Sequence, residues 1–126
     1  MSTPPRRRGV RWAMVAAYAA TIFGLSAQTG STAPELIANF DKVCHGVEYG
    51  GFTAVLAAAL TAGSSPFVLT RAALLATLYG VSDEYHQSFI PGRDSSVWDV
   101  AADATGATTV ALLLAQLRRH RRRQSP

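Results

Sequence analysis

Residues 78–103 read LYGVSDEYHQSFIPGRDSSVWDVAAD. The stretch bunches strongly polar residues between two apolar segments: Asp83, Glu84, His86, Gln87, Arg93, Asp94, Asp99 and Asp103. A soluble helical protein distributes such residues over its outer faces. Here a turn at Pro91 and Gly92 joins two apolar runs at their polar ends. This arrangement is typical of two membrane helices whose polar ends face each other.

The charges of the chain follow a basic, acidic, basic order. Nine of the twelve Lys and Arg residues lie in 1–11 and 118–126, and all eight acidic residues lie between Glu35 and Asp103. Arginine clusters that flank apolar segments are typical of the cytoplasmic side of membrane proteins. The clusters hold few aromatic residues and no groove-reading motif, so we expect no nucleic-acid partner.

Four segments of the chain are candidates for transmembrane helices. About twenty helical residues cross the hydrocarbon core of a bilayer. The segments have the approximate bounds 12–28, 41–62, 66–87 and 97–117. The sequence therefore predicts one domain, an all-α four-helix transmembrane bundle over residues 12–117. A basic N-terminal tail (1–11) and a basic C-terminal tail (118–126) flank it.

Proline and capping residues predict where these helices begin. The turn residues before Pro34 indicate a short interfacial helix that leads into the second segment. Ser65 before Pro66 predicts the N-cap and first turn of the third helix. Ser96, with Asp99 three positions later, matches a capping box at the start of the fourth helix.

Two alternatives to this architecture stay open. A basic start followed by an apolar run also occurs in cleaved signal peptides, although a cut after Ala27 would put Leu25 where a small residue is required. A soluble four-helix bundle is the other alternative. Against it, residues 53–60 and 108–114 carry no charged stripe.

Both arginine clusters predict the orientation of the bundle. The positive-inside tendency puts the N and C termini in the cytoplasm, so the number of crossings is even. We therefore expect a multi-pass protein of the plasma membrane. With four crossings, the connections near Ser31 and Pro91 lie outside and the connection near Gly63 lies inside. The polar ends of the second, third and fourth segments then all lie at the outer side.

Helical spacing predicts that these polar residues face one another. Residues three or four apart share a helix face. An ionisable side chain inside a bilayer costs about 2.5 to 3.5 kcal/mol, so such faces should turn away from lipid. We expect a polar pocket that opens outward. Its candidate binding residues are Asp41, Lys42, His45, Tyr49, Asp83, Glu84, His86, Gln87, Arg93, Asp99 and Asp103.

The single cysteine, Cys44, lies in the second candidate helix. We expect it to be buried and inert. Its neighbour His45 is one position away, which on a helix points the two side chains in different directions and argues against a nucleophile and base pair.

The polar residues also carry a resemblance to a known family. The patterns are D-K-x-x-H-x-x-x-Y over residues 41–49, Y-G-x-x-D-E-x-H-Q-x-F-x-P-G-R over 79–93, and D-x-x-x-D-x-x-G over 99–106. From about Trp12 to Leu117 the chain resembles the VanZ-like family of small bacterial membrane proteins. It departs from the family at Asp103, where Asn is usual. The resemblance implies an integral membrane protein; the family's namesake is associated with low-level teicoplanin resistance, and some members occur with cell-envelope or exopolysaccharide functions.

Three functions fit these residues. The first is binding of a cell-envelope component, such as a lipid-linked glycan head group, or of a glycopeptide-type compound, with Lys42 and Arg93 meeting phosphate or carboxylate. The second is a membrane hydrolase or transferase that acts on a lipid-linked substrate. It would use His45 and His86 with Glu84, Asp83 or Asp41, either without a metal or with a divalent metal held by His45, Glu84 and His86. No motif such as H-E-x-x-H supports that metal set. The third is a purely structural polar network, although such contacts contribute only about 0.6 kcal/mol each.

Overall fold

The structure is a computed structural model that describes residues 5–29, 39–60 and 66–124. Within these ranges the chain forms four α-helices and no strand. The helices are α1 (Pro5–Ser26), α2 (Phe40–Leu60), α3 (Pro66–Gln87) and α4 (Val97–Gln124). The predicted all-α class is confirmed. The helix start predicted at Pro34 and the cap predicted at Ser65 lie outside the described residues.

Both ends of the chain are more helical than the sequence predicted. α1 begins at Pro5 rather than near Trp12, and α4 continues to Gln124 rather than ending near Leu117. Proline is favoured in a first helical turn, and arginine is a good helix former whose charge is favourable near a helix C-terminus. Much of both basic segments therefore extends the helices.

The connection between α3 and α4 contains the predicted turn. Gly92 has a φ of 79°, a left-handed conformation that glycine adopts without a steric cost. The hydroxyl of Ser96 accepts the backbone N–H of Trp98 at 3.2 Å and so caps α4. At the other end of α3, the helix begins at Pro66 as predicted.

α2 and α4 form the most extensive helix pair of the bundle. Gly106 allows their backbones to approach, because a Cβ there would collide with the carbonyl oxygen of Gly46. Close pairs of this kind use small residues at the contact. α3 packs against both helices, and α1 lies mainly on α2. The apolar core comprises Ile22, Tyr49, Phe52, Leu56, Ala57, Leu69, Ala72, Ala76, Ala107 and Ala111.

The bundle buries acidic side chains and exposes large apolar ones. Asp83, Glu84, Asp99 and Asp103 are each no more than 6% exposed. Large apolar residues with more than half of their surface exposed include Val43, Val47, Phe67, Leu74, Leu78, Phe89, Trp98, Leu112, Leu113 and Leu117. In water-soluble proteins, acidic residues are almost never buried unless paired, and extended apolar patches are rare on the surface.

Two of the described helices, α2 and α4, are long and apolar enough to cross a membrane by length and composition. α1 and α3 do not meet the same test. α1 carries several arginines, and α3 carries charged or strongly polar residues at its C-terminal end, which lower their mean hydropathy.

Candidate functional site

Three helices bring their polar ends together at one end of the bundle. α2 and α4 contribute their N-terminal ends, and α3 contributes its C-terminal end. Five side chains from these ends lie against one another and are called the polar cluster below: Lys42, His45, Glu84, Asp99 and Asp103. Three separate stretches of the sequence thus supply one constellation.

Lys42 joins α2 to α4 within the polar cluster. Its Nζ donates to Asp41 Oδ2 and to Asp99 Oδ1, each at 2.8 Å. Asp41 is exposed, so its contact with Lys42 contributes little to stability. Asp99 is buried, and a charge-assisted hydrogen bond to a buried carboxylate is strong. Lys42 therefore fixes the position of the Asp99 side chain.

His45 lies between carboxylates of two different helices. Its Nδ1 is 2.9 Å from Asp103 Oδ1, and its Nε2 is 3.9 Å from Glu84 Oε1. Because an ionised carboxylate only accepts hydrogen bonds, Nδ1 is the donor to Asp103. Gly80 leaves room for the Asp103 carboxylate, since a Cβ at position 80 would collide with it. The imidazole is thereby oriented with Nε2 toward Glu84.

Glu84 links α3 to the first turn of α4. Its Oε2 accepts the backbone N–H of Ser96 at 2.9 Å. The predicted capping box assigned this role to Asp99, which instead bonds to Lys42. The prediction was right about Ser96 as the N-cap and wrong about its acidic partner. A carboxylate from a neighbouring helix supplies the acceptor, and local spacing in the sequence could not indicate it.

Asp83, Gln87 and Tyr49 are buried beside the polar cluster. Gln87 Nε2 donates to Asp83 Oδ2 at 3.0 Å, one turn apart on α3. Tyr49 lies one turn from His45 on α2, with ring centroids 6.4 Å apart and nearly parallel planes. These three predicted pocket residues therefore belong to the interior of the bundle.

His86 and Arg93 lie apart from the polar cluster, against α1. The ring of His86 stacks on Phe23, with centroids 4.5 Å apart. Arg93 Nη2 lies 3.5 Å from a backbone carbonyl oxygen near the C-terminus of α1. The predicted metal set of His45, Glu84 and His86 is therefore not the set that converges. Positions two apart on a helix point in different directions, which separates His86 from Glu84.

Several buried polar atoms in this region make no hydrogen bond within the described part of the chain. They are Tyr49 Oη, Glu84 Oε1, His86 Nδ1, Arg93 Nε and Asp103 Oδ2. Leaving a buried polar group unsatisfied costs about 1 to 3 kcal/mol. Each of these atoms keeps a hydrogen-bonding position for a ligand or a water molecule.

Three members of the polar cluster have the donor atoms and the spacing to hold a metal ion. A ring nitrogen of His45 and carboxylate oxygens of Glu84 and Asp99 lie within 4.8 Å of one another. The three residues come from α2, α3 and α4. Asp99 thus takes the place that the sequence prediction gave to His86.

A groove of about 740 Å³ runs along the outer surface between α2 and α4. Asn39, Lys42 and Trp98 lie at its polar end. Further residues along it are small or apolar, apart from two threonines: Val43, Gly46, Val47, Gly50, Ala101, Ala102, Thr105, Gly106, Thr109 and Val110. The sequence analysis did not predict this groove.

A second groove of about 640 Å³ lies between α1 and α2, with Cys44 and Glu48 on its wall. Cys44 is exposed, so the prediction of a buried thiol was wrong. Cys44 shares the outer surface of α2 with the exposed Val43 and Val47, where an apolar side chain need not be buried. His45, one position later, points into the bundle as the helical offset requires.

The sequence of this chain matches a known protein family. The family model described as VanZ/LLP1 matches residues 7–118, a range that contains the whole polar cluster. The chain belongs to the VanZ/LLP1 family. The resemblance carried by the three sequence patterns is thereby confirmed. No curated protein and no solved structure matches the chain. In this VanZ/LLP1 protein, Asp103 bonds to His45 through a side-chain oxygen, and an Asn side chain at that position also offers an acceptor oxygen.

Proposed function

We propose that this VanZ/LLP1 protein crosses the plasma membrane four times, with both termini in the cytoplasm, and binds an anionic, lipid-tailed compound at the outer face. A lipid-linked glycan phosphate and an acylated glycopeptide share this chemistry. The groove between α2 and α4 would hold the apolar tail, and Lys42 would meet the anionic head. No turnover is required.

The distribution of side chains supports the membrane part of the proposal. Acidic residues lie in the interior, whereas Val47, Leu78 and Leu112 are each more than half exposed. In a bilayer the surrounding lipid is the favourable environment for such apolar side chains, and ionisable side chains face the bundle interior. Trp98, at the start of α4, suits the membrane interface.

The position of the basic residues supports the orientation. Arg11 Nη1 donates to the carbonyl oxygen of Ala58, near the C-terminus of α2. The polar cluster includes residues at the opposite end of the same helix. Residues 118–124 extend the C-terminal end of α4, whereas the cluster belongs to its N-terminal half. The two terminal arginine clusters and the polar cluster therefore lie toward opposite ends of the bundle, as the positive-inside tendency would require.

One observation carries the binding proposal: Lys42 is among the residues that line the otherwise largely apolar α2/α4 groove. An ammonium group has three donors, and two of those on Lys42 bond to Asp41 and Asp99. The third is available to a phosphate or carboxylate at the groove's polar end. A groove on the outer wall of a membrane bundle is open to lipid along its length, so a ligand with an apolar tail can enter from the side.

Native mass spectrometry of the purified protein, titrated with a long-chain polyprenyl phosphate and the matching polyprenol, tests the proposal. We expect the phosphate to bind more tightly because Lys42 contacts its head. Lys42→Gln should abolish this preference. Ala101→Trp should lower the affinity for both lipids, because the larger side chain fills part of the groove. Leu78→Trp, on an exposed face of α3, is the matched control and should bind like the wild type.

The titration also separates the two sources of ligand. Binding of an acylated glycopeptide, but not of polyprenyl phosphate, would assign the groove to an antibiotic-like compound. Equal binding of phosphate and alcohol, unchanged in Ala101→Trp, would contradict the proposal.

A further inference from the structure

Each of the three possible metal ligands in the polar cluster is held in place by a second group. In the neutral imidazole of His45, Nδ1 donates to Asp103 at 2.9 Å, and Nε2 then carries no proton. The backbone N–H of Ser96 holds Oε2 of Glu84 at 2.9 Å. Lys42 holds Oδ1 of Asp99 at 2.8 Å. Supporting contacts of this kind orient the ligands of metal sites, and the carboxylate–histidine pair is the commonest example.

The atom that points most directly to a ligand is Oε1 of Glu84. Glu84 is 5% exposed, and Oε1 is buried with no hydrogen-bond partner among the described residues. It lies 3.9 Å from Nε2 of His45, too far for a hydrogen bond. Two atoms that bind one ion at about 2 Å lie up to about 4 Å apart. The separation therefore fits a shared ion better than a direct contact.

The charges of the polar cluster also favour a cation. Three of its members are buried carboxylates, Glu84, Asp99 and Asp103, whereas its one permanently basic side chain is Lys42. Buried carboxylates need compensating charge or a bound proton. A divalent cation between Glu84 and Asp99 would supply that charge next to Glu84 Oε1, which has no hydrogen-bond partner among the described residues.

We propose that His45, Glu84 and Asp99 form a binding site for a divalent transition-metal ion, for which Zn²⁺ is the best fit. One imidazole nitrogen with two carboxylate oxygens suits Zn²⁺ or Mn²⁺, whereas Mg²⁺ and Ca²⁺ prefer oxygen ligands alone. Three protein ligands leave a coordination position for water or a further ligand. The inference is independent of lipid binding, since the α2/α4 groove can bind a tail whether or not the metal is present.

Isothermal titration of tag-free, chelator-treated protein in detergent with Zn²⁺ tests the site. We expect one ion per chain, and an affinity lowered by at least about tenfold in His45→Gln, Glu84→Gln and Asp99→Asn. His86→Gln removes another histidine at the same end of the bundle but outside the site, so it should bind like the wild type. Glu84→Gln keeps the shape of the side chain and an oxygen for the Ser96 N–H, which limits its effect on folding.

A spectroscopic measurement on the wild type makes the test independent of how the variants fold. Co²⁺ in the site should give a visible absorption spectrum typical of one nitrogen and several oxygen ligands, and Zn²⁺ should displace it. Absence of stoichiometric Zn²⁺ binding to the wild type would overturn the proposal and indicate that bound protons neutralise the carboxylates. Two further results would overturn it: Zn²⁺ binding that persists in the double variant His45→Gln/Glu84→Gln, and Zn²⁺ binding that is lost in the single variant His86→Gln.

Discussion

At the scale of single residues, Glu84 of α3 lies beside both α2 and the start of α4. One of its oxygens completes the cap of α4 by accepting the Ser96 N–H, and the other faces His45. The sequence predicted the N-cap from Ser96 because capping depends on residues close in the chain. It assigned the acidic partner to Asp99 for the same reason. The spacing of residues around Ser96 cannot indicate that a carboxylate from another helix accepts its N–H.

The two oxygens of Glu84 lead to a prediction on stability. In the presence of a chelator, Glu84→Ala should lower the free energy of unfolding by about 1 to 3 kcal/mol, because the Ser96 N–H loses its acceptor. Glu84→Gln retains an amide oxygen for that N–H and should lose much less. Thermal unfolding in detergent, followed by circular dichroism, measures both variants. Equal stability of Glu84→Ala and the wild type would show that the cap contact contributes nothing.

At the scale of helices, the contact between α2 and α4 decides the shape of the bundle. The sequence predicted four long helices from apolar length and turn residues. It could not predict that Gly46 and Gly106 would meet, because the pairing of faces depends on how all four helices fit together. For the same reason it gave no indication of the groove beside that contact.

The glycine contact gives a second stability prediction. Gly106→Ala should destabilise the bundle by about 1 to 3 kcal/mol, because the new Cβ would collide with the backbone oxygen of Gly46 and force the helices apart. Gly24→Ala is the matched control, since a Cβ at that helical position meets nothing within 4 Å. It should be neutral or stabilising by about 0.5 to 1 kcal/mol, from the higher helix propensity of alanine. If both variants unfolded at the same temperature, the close contact between Gly46 and Gly106 would not contribute to the stability of the bundle.

At the scale of the whole molecule, the direction in which the bundle crosses the membrane decides on which side the polar cluster lies. The order of charges along the sequence predicted the orientation, because lysine and arginine counts in short loops and tails reflect membrane insertion. His45, Glu84 and Asp99 meet at one end because α3 runs opposite to α2 and α4, so that its C-terminal end lies beside their N-terminal ends. Their detailed contacts, and the separation of His86 from them, required side-chain positions that periodicity alone does not supply.

Accessibility of single cysteines in intact cells tests this orientation most directly. In a Cys44→Ser background, cysteines placed at Ser31, Ser64, Ser95 and Ser125 are treated with a membrane-impermeant maleimide. Four crossings with cytoplasmic termini predict labelling at Ser31 and Ser95, and protection of Ser64 and Ser125 until the membrane is permeabilised. The reverse pattern would put the polar cluster on the cytoplasmic side, and labelling of all four positions in intact cells would contradict a membrane-spanning bundle.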